Sequence, residues 1–254
     1  MEIIHLKSRL VDGKIETQYS SEELAQFIRE AKVLIINTPF DKDEILKSRH
    51  ALHRWGCETQ EQNPQRAADT INFHRIDHDH PKMVVKRIAH FFRFSYANKG
   101  QFIDLFNYIH PVNLLRNAIA GLNPEYTFYN TDDGFLSQPS ALHYPAGGGY
   151  MQAHKDPVEP QRVEVVMLMS KKGKDFKEGG LAIEDQGVWK NVEDHTEFGD
   201  IVLFRPDIPH RVEPIDPAST LDWKNEAGRW ILFSPIAHMV DTSKNEVTYS
   251  QTKI

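Results

Sequence analysis

Cysteine is almost missing from this chain. Cys57 is the single one in 254 residues, which excludes an intramolecular disulfide and fits a reducing compartment. Long apolar runs are missing too. The longest aliphatic run, Val33 to Ile36, falls far short of the roughly 20 residues that span a bilayer. The opening MEIIHLKSRLVDGK lacks the apolar core and small-residue cleavage site of a secretory signal. A cytoplasmic protein with no membrane partner is therefore expected. Positive charge is in deficit, with 30 Lys and Arg against 36 Asp and Glu and a formal net charge of −6. No nucleic-acid partner is expected, because phosphate binding depends on clustered cations. No repeat or low-complexity tract breaks the chain, and no surface stripe distinct from the core helices marks an oligomer interface.

The first half reads as mixed and mainly helical. Ile3 to Leu10 suggests a first strand. Ser20 with Glu23 forms a capping box ahead of Leu24, Phe27 and Ile28, which predicts a short amphipathic helix over Ser20 to Ala31. Val33 to Asn37 reads as a buried strand and Asp41 to Trp55 as a second helix. Gly56 to Asn72 is polar and carries Pro64, which predicts a surface connection with a lid over a site as the functional alternative. Phe73 to Tyr96 concentrates His74, His78, His80 and His90 with Arg75, Arg87 and Arg93. Its spacing fits no closed zinc pattern, so it reads as a solvated polar stretch or as contacts for a polar or acidic substrate. Two further helical stripes, Phe102 to Ile109 and Leu115 to Leu122, are expected to be interrupted at Pro111 and stopped near Gly121.

After Pro124 the composition turns to strands. Tyr126 to Asn130, Ala141 to Tyr144, Gly149 to Lys155, Val163 to Ser170, Gly180 to Ile183, Val188 to Val192, Ile201 to Phe204, Ile208 to Ile215 and Arg229 to Pro235 are short and separated by Gly, Pro and charged turns. That pattern predicts a double-stranded β-helix, or jelly roll. The fold class expected is α+β, one domain over 1–254, with a helical N-terminal flank (1–135) on a jelly-roll catalytic core (136–254). The tail from Asp241 onward is polar and expected to be loosely held.

Chemistry concentrates in HYPAGGGYMQAHKDP, residues 143 to 157. Two residues apart on a strand, His154 and Asp156 would share a face and could converge on one metal ion. His210 follows Asp156 by 54 positions, in GDIVLFRPDIPHRVEPI. Two His and one carboxylate with the opposite positions open is the ligand set of non-haem Fe(II) oxygenases. Arg229 comes 19 positions later and opens GRWILFSP, a planar two-pronged donor suited to a carboxylate. The bland alternatives are two hydrogen-bonded core histidines, a turn at Asp156-Pro157 and a surface cation at 229.

With those residues in order, Ala141 to Pro235 resembles the catalytic core of the Fe(II)/2-oxoglutarate-dependent dioxygenases, in particular the prolyl-hydroxylase-like pattern. Tyr144-Pro145, the Gly-rich turn, His154-Lys155-Asp156, GGLAIED, GDIVLF, IPHRVEPI and GRWILF all occur in the expected sequence. The resemblance implies that His154, Asp156 and His210 bind Fe(II), that Arg229 pairs with the far carboxylate of 2-oxoglutarate, and that the Tyr144 hydroxyl helps hold that co-substrate. Asp216 to Glu226 reads as an insertion between His210 and Arg229. The resemblance further implies consumption of O2, release of succinate and CO2, and hydroxylation of an unactivated C–H bond. An aspartate at the carboxylate position favours hydroxylation over halogenation, where related enzymes carry Ala or Gly.

A small polar substrate, a free amino acid or a biosynthetic intermediate, is expected for a chain with no recognisable peptide-binding module. Candidates for the pocket are Tyr129, Asp132, His143, Arg162 and His78. Two alternatives stay open: a prolyl-type hydroxylase of protein residues, and a non-catalytic cupin-like jelly roll holding Zn(II) or Ni(II) through the same three side chains.

Overall fold

One twelve-stranded sheet, curled until it faces itself, organises the chain. The computed structural model describes residues 1–64, 70–79, 83–129 and 133–238. The elements are β1 (Ile3–Leu6), β2 (Ser8–Val11), β3 (Lys14–Thr17), α1 (Ser21–Arg29), β4 (Val33–Ile36), α2 (Lys42–Glu58), β5 (Phe73–His78), β6 (Arg87–Arg93) and α3 (Ile103–Ala120), followed by β7 (Phe135–Ser137), β8 (Ser140–Pro145), β9 (Gly149–His154), β10 (Glu164–Leu168), β11 (Gly180–Asp185), β12 (Val188–Asn191), β13 (Ile201–Phe204), β14 (His210–Ile215), β15 (Gly228–Phe233) and β16 (Ile236–His238).

Strands β8, β15, β10 and β13 make one wall, and β9, β14, β11 and β12 the facing one. This is the expected jelly roll. Its two walls are joined by β6, which pairs with β8 through Arg93↔Ser140 and His90↔His143 and with β9 through Arg87↔Met151. Period-two alternation sorts the side chains into two cores. Leu142, Tyr144, Val166, Leu168, Leu181, Ile183, Phe204 and Ile231 fill the space between the walls. Ala141, Val165, Met167, Trp230 and Leu232 face outward against Leu24, Ile28, Leu105 and Ile109 of α1 and α3.

The amphipathic helix forms as expected: Ser20 accepts from the Glu23 amide and Glu23 reaches back to the Ser20 amide, so both orphan donors are satisfied. Several expectations are corrected. Ile3 to Leu10 is two strands, because β2 turns at Asp12-Gly13 into a hairpin with β3. The second helix, capped by Asp41, continues through Gly56 and Cys57 to Glu58. Gly56 is needed there: a Cβ on it would lie 2.5 Å from the His90 ring.

His80 lies outside the described residues, and where described Phe73 to Tyr96 is not a solvated stretch. It folds as the β5–β6 hairpin, with His74, Asp77 and His90 buried. The apolar residues at 89, 91 and 92 pull it into the sheet, and the interleaved polar residues pair with one another. The two expected helices around Pro111 are one, α3, ended by Gly121 in the left-handed conformation. Tyr126 to Asn130 is no strand where described. Tyr126 and Phe128 close tight turns, and Thr127 takes a positive φ. The flank thus contributes strands β1, β4, β5 and β6 as well as helices to the sheet. The expected lid is only partly described: Gln62 and Glu61 bond along β5, while 65–69, like the tail from Asp241, lies outside the described residues.

Candidate metal centre

The metal site begins with a bulge. Between His210↔His154 and Val212↔Met151, β9 carries one residue more than β14. The extra residue flips the alternation, so Met151 and His154 both face the interior. Asp156 lies beyond the end of β9, so it does not share a strand face with His154 as the spacing suggested. Instead its backbone N–H donates to the Pro206 carbonyl at 3.0 Å, which ties the loop after β9 to the one before β14.

The two imidazoles are set alike. The Nδ1 of His154 lies 2.9 Å from the Gln152 carbonyl, and that of His210 lies 3.0 Å from the Ile208 carbonyl. A carbonyl only accepts, so each Nδ1 carries the proton and each Nε2 offers a lone pair. Those Nε2 atoms stand 3.5 and 3.3 Å from the Asp156 Oδ2, and the three candidate ligand atoms lie within 4.8 Å of one another. Bonds of roughly 2.1 Å at right angles need ligand separations of about 3 Å, so a small adjustment seats a divalent cation. Burial pushes the Asp156 carboxyl up, but the two histidines beside it outweigh it and hold the group below the usual carboxylate range. Nearby Glu164, on the inner face of β10, goes the other way: burial first, then the charge of Asp156, raise it, and Gln161 donates to it. The two carboxyls of one interior are thus pushed in opposite directions.

Arg229 is fully buried, opposite Tyr144 in the β15–β8 register. Its guanidinium carbon sits 5.3 Å from the Tyr144 ring centroid. Its Nε donates to Glu193 Oε1, with both side chains 1% exposed. Its buried Nη1 has no hydrogen-bond partner, and neither does Glu193 Oε2. An unanswered buried guanidinium nitrogen is costly unless a ligand acceptor meets it, which suits the distal carboxylate of 2-oxoglutarate. The Tyr144 phenol is pushed up to about 12 by burial, against the opposing pull of Arg229 and Arg87, so it stays protonated.

The pocket candidates are scattered. His143 is on the opposite face of β8 from Tyr144, stacked on Trp230 with centroids 4.3 Å apart. Arg162 bonds to Glu159 and to the Ala120 carbonyl at the end of α3. Tyr129 is exposed and takes a hydrogen bond from Lys99. His78, exposed at the end of β5, lies near Trp223; Asp132 lies outside the described residues. An open cleft of about 570 Å³ lined by His50, His53, Arg54, Cys57, Lys224 and Glu226 contains none of the triad.

Sequence reading missed Glu193 and Glu164, which belong to no motif. It named Arg75 and Arg87 but missed the acid between them. Asp77 is shared by Arg75, through Nε at 2.8 Å, and Arg87, through Nε at 2.6 Å. Burial raises that carboxyl, but the two guanidiniums outweigh it and hold it ionised.

No family model and no curated protein matches the sequence. Solved structures do. A Pseudomonas putida prolyl-4-hydroxylase aligns at TM-score 0.52 and 18% identity, over 84% of this chain and 96% of its own. The non-heme alpha-ketoglutarate-dependent epimerase SnoN, from nogalamycin biosynthesis, aligns at 0.52 and 10% over 91% of each chain. The dioxygenase for auxin oxidation 1 from Arabidopsis thaliana, solved with 2-oxoglutarate, aligns at 0.51 and 13% over 95% of this chain and 94% of its own. This chain has the fold of the 2-oxoglutarate/Fe(II) oxygenases. Within that fold, β8 to β15 form the eight-stranded core and β9 and β14 present the two histidines.

Proposed function

We propose that this chain is an Fe(II)- and 2-oxoglutarate-dependent dioxygenase that hydroxylates an unactivated C–H bond of a small polar molecule, a free amino acid or a biosynthetic intermediate. One arrangement carries the reading: two Nε2 lone pairs and an ionised carboxylate converge inside a jelly roll that also holds a buried arginine with an unanswered nitrogen. A protein that only stored a metal would have no use for that nitrogen.

His154, Asp156 and His210 would hold the iron, and Arg229 with the Tyr144 hydroxyl would hold 2-oxoglutarate. When bound, iron and co-substrate together with O2 supply the oxidising power: C–H becomes C–OH as 2-oxoglutarate gives succinate and CO2. The chain does the rest by position. The carbonyls of Gln152 and Ile208 fix both imidazoles with Nε2 inward. Glu193 fixes the rotamer of Arg229. Leu142, Phe204 and Ile231 keep water from the space between the walls.

The neighbours' names span prolyl hydroxylation, epimerisation and auxin oxidation, so the shared fold selects no substrate. Support for a small polar one comes from the charged residues buried on the inner face of β5 and β6. The test is succinate release with Fe(II), 2-oxoglutarate and candidate substrates. Stimulation by small polar molecules and not by proline-containing peptides is expected; stimulation by peptides alone moves the assignment to the prolyl-type hydroxylase.

A further inference from the structure

The inner face of the β5–β6 hairpin carries more guanidinium than carboxylate. Arg75, Asp77, Arg87 and Phe91 project from the same side, as the registers Asp77↔Ala89 and Arg75↔Phe91 require, and Ala89 and Phe91 belong to the core between the walls. Asp77 is 5% exposed and is the single carboxylate shared by Arg75 and Arg87, which are 20% and 12% exposed. Arg75 spends Nη1 on Asn63. Arg87 meets Asp77 through Nε alone, so its terminal nitrogen pair, the two-pronged donor that fits a carboxylate, stays outside the ion pair. The Phe91 ring lies 4.9 Å from the Arg75 guanidinium carbon and 5.8 Å from that of Arg87. With Arg93 also 4.8 Å from its centroid, the ring attracts these cations by cation–π contact without supplying negative charge.

This excess charge belongs to the site. Arg87 is the register partner of Met151, three residues before His154 on the strand that delivers the first histidine. Tyr144 feels both Arg229 and Arg87 electrostatically, and both acids that accompany them, Glu193 and Asp77. The two arginines differ in one respect. Arg229 is matched one to one by Glu193, whereas Arg87 and Arg75 divide one carboxylate between them. A half-buried surplus cation on an active-site wall is stabilised when an anion arrives.

We propose that Arg87, with Arg75 beside it, is the substrate-recognition element, and that the substrate presents a carboxylate to it. This rests on the oxygenase reading above and narrows it to an acid. Arg87 and Arg75 bind substrate; they take no part in holding iron or 2-oxoglutarate.

The test uses the full chain, loaded anaerobically with Fe(II) and saturating 2-oxoglutarate. Calorimetry then measures binding of the proteinogenic amino acids and of simple hydroxy- and dicarboxylic acids, each beside its amide, followed by succinate release in air. At least one acid should bind and stimulate turnover, and its amide should be weaker by roughly tenfold or more, the value of one charge-assisted pair. Arg87→Gln should lose the same factor for the acid while its 2-oxoglutarate titration matches the wild type. Arg87→Lys keeps the charge on Asp77, guards against a folding defect in the Gln variant and should fall between the two. Equal binding of acid and amide, no binding by any acid, or an Arg87→Gln defect in 2-oxoglutarate binding instead would overturn the proposal. A wild type that fails to bind Fe(II) and 2-oxoglutarate at all contradicts the oxygenase reading instead. Acid binding to the chain as it stands then still decides the role of Arg87.

Discussion

His154 and His210 are direct register partners across β9 and β14, and each points its Nδ1 at the carbonyl two residues behind it in the chain. The two rings lie with centroids 4.2 Å apart, both fixed by the strand ends that carry them. Replacing either by Ala should lower Fe(II) affinity by more than about 100-fold, since losing only an outer partner of a ligand already costs roughly 10- to 100-fold. Metal titration monitored by calorimetry checks it; affinity within a few-fold of wild type in either variant would remove that histidine from the ligand set.

The Arg229–Glu193 pair makes a paired prediction about stability. Arg229→Ala leaves a buried carboxylate alone and should cost on the order of 3–5 kcal/mol. It should also sharply reduce stabilisation by 2-oxoglutarate. Glu193→Gln leaves the guanidinium with a weaker partner, so it too should be less stable, yet gain more from added 2-oxoglutarate than the wild type does. Urea unfolding with and without the co-substrate distinguishes the two patterns. Equal gains in all three proteins would mean that the co-substrate does not meet Arg229.

Acid sensitivity should trace partly to the buried histidines on the outer face of β6 and β8. Burial pushes His143 down to about 3, and burial with the neighbouring His74 and His53 does the same to His90. With folded values below the unfolded one of about 6.5, the unfolded chain binds more protons between pH 6.5 and 3. Stability is therefore fully present above that window and lost as pH falls through it, by about 1.4 kcal/mol per pH unit for each group well inside it. His143→Phe keeps a ring against Trp230 and should flatten this limb by one group's share. Unfolding free energies at pH 7 and 5 measure the slope; an unchanged slope would mean that His143 is not held neutral by the fold.

Gly147 should resist substitution. Its φ is +93°, and a Cβ would fall 2.4 Å from the Leu221 backbone nitrogen, so the β8–β9 turn and the segment from Asp216 to Glu226 would have to part. Gly147→Ala should cost at least about 1–3 kcal/mol, read as a drop in Tm. A Tm within a degree of wild type would show that the two loops are not packed as described.

The jelly roll and the clustered side chains were legible because turn residues punctuate short apolar runs and because His154, Asp156 and His210 are polar residues at the ends of such runs. The reason Asp156 joins them was not legible: convergence depends on a bulge in β9 and on a loop contact to Pro206, and neither leaves a local pattern. The β5–β6 hairpin hid for the opposite reason. Its inner face alternates Arg75, Asp77, Arg87, Ala89 and Phe91, so charges that pair inside the protein looked like charges facing water. Pro111 misled because its missing amide and ring are tolerated within α3, where the surrounding core holds the helix together. Glu193 had no signal at all, since its partner lies 36 residues away.

The most direct test is anaerobic addition of Fe(II) and then 2-oxoglutarate to the metal-free protein, followed in the visible spectrum. Chelation of the co-substrate by iron at the triad should produce a charge-transfer band in the wild type. His154→Ala should abolish the band, and Arg229→Ala should require far more 2-oxoglutarate to reach it. A folded wild type that binds the metal but gives no band at saturating 2-oxoglutarate would contradict the oxygenase assignment and leave a metal-holding jelly roll in its place.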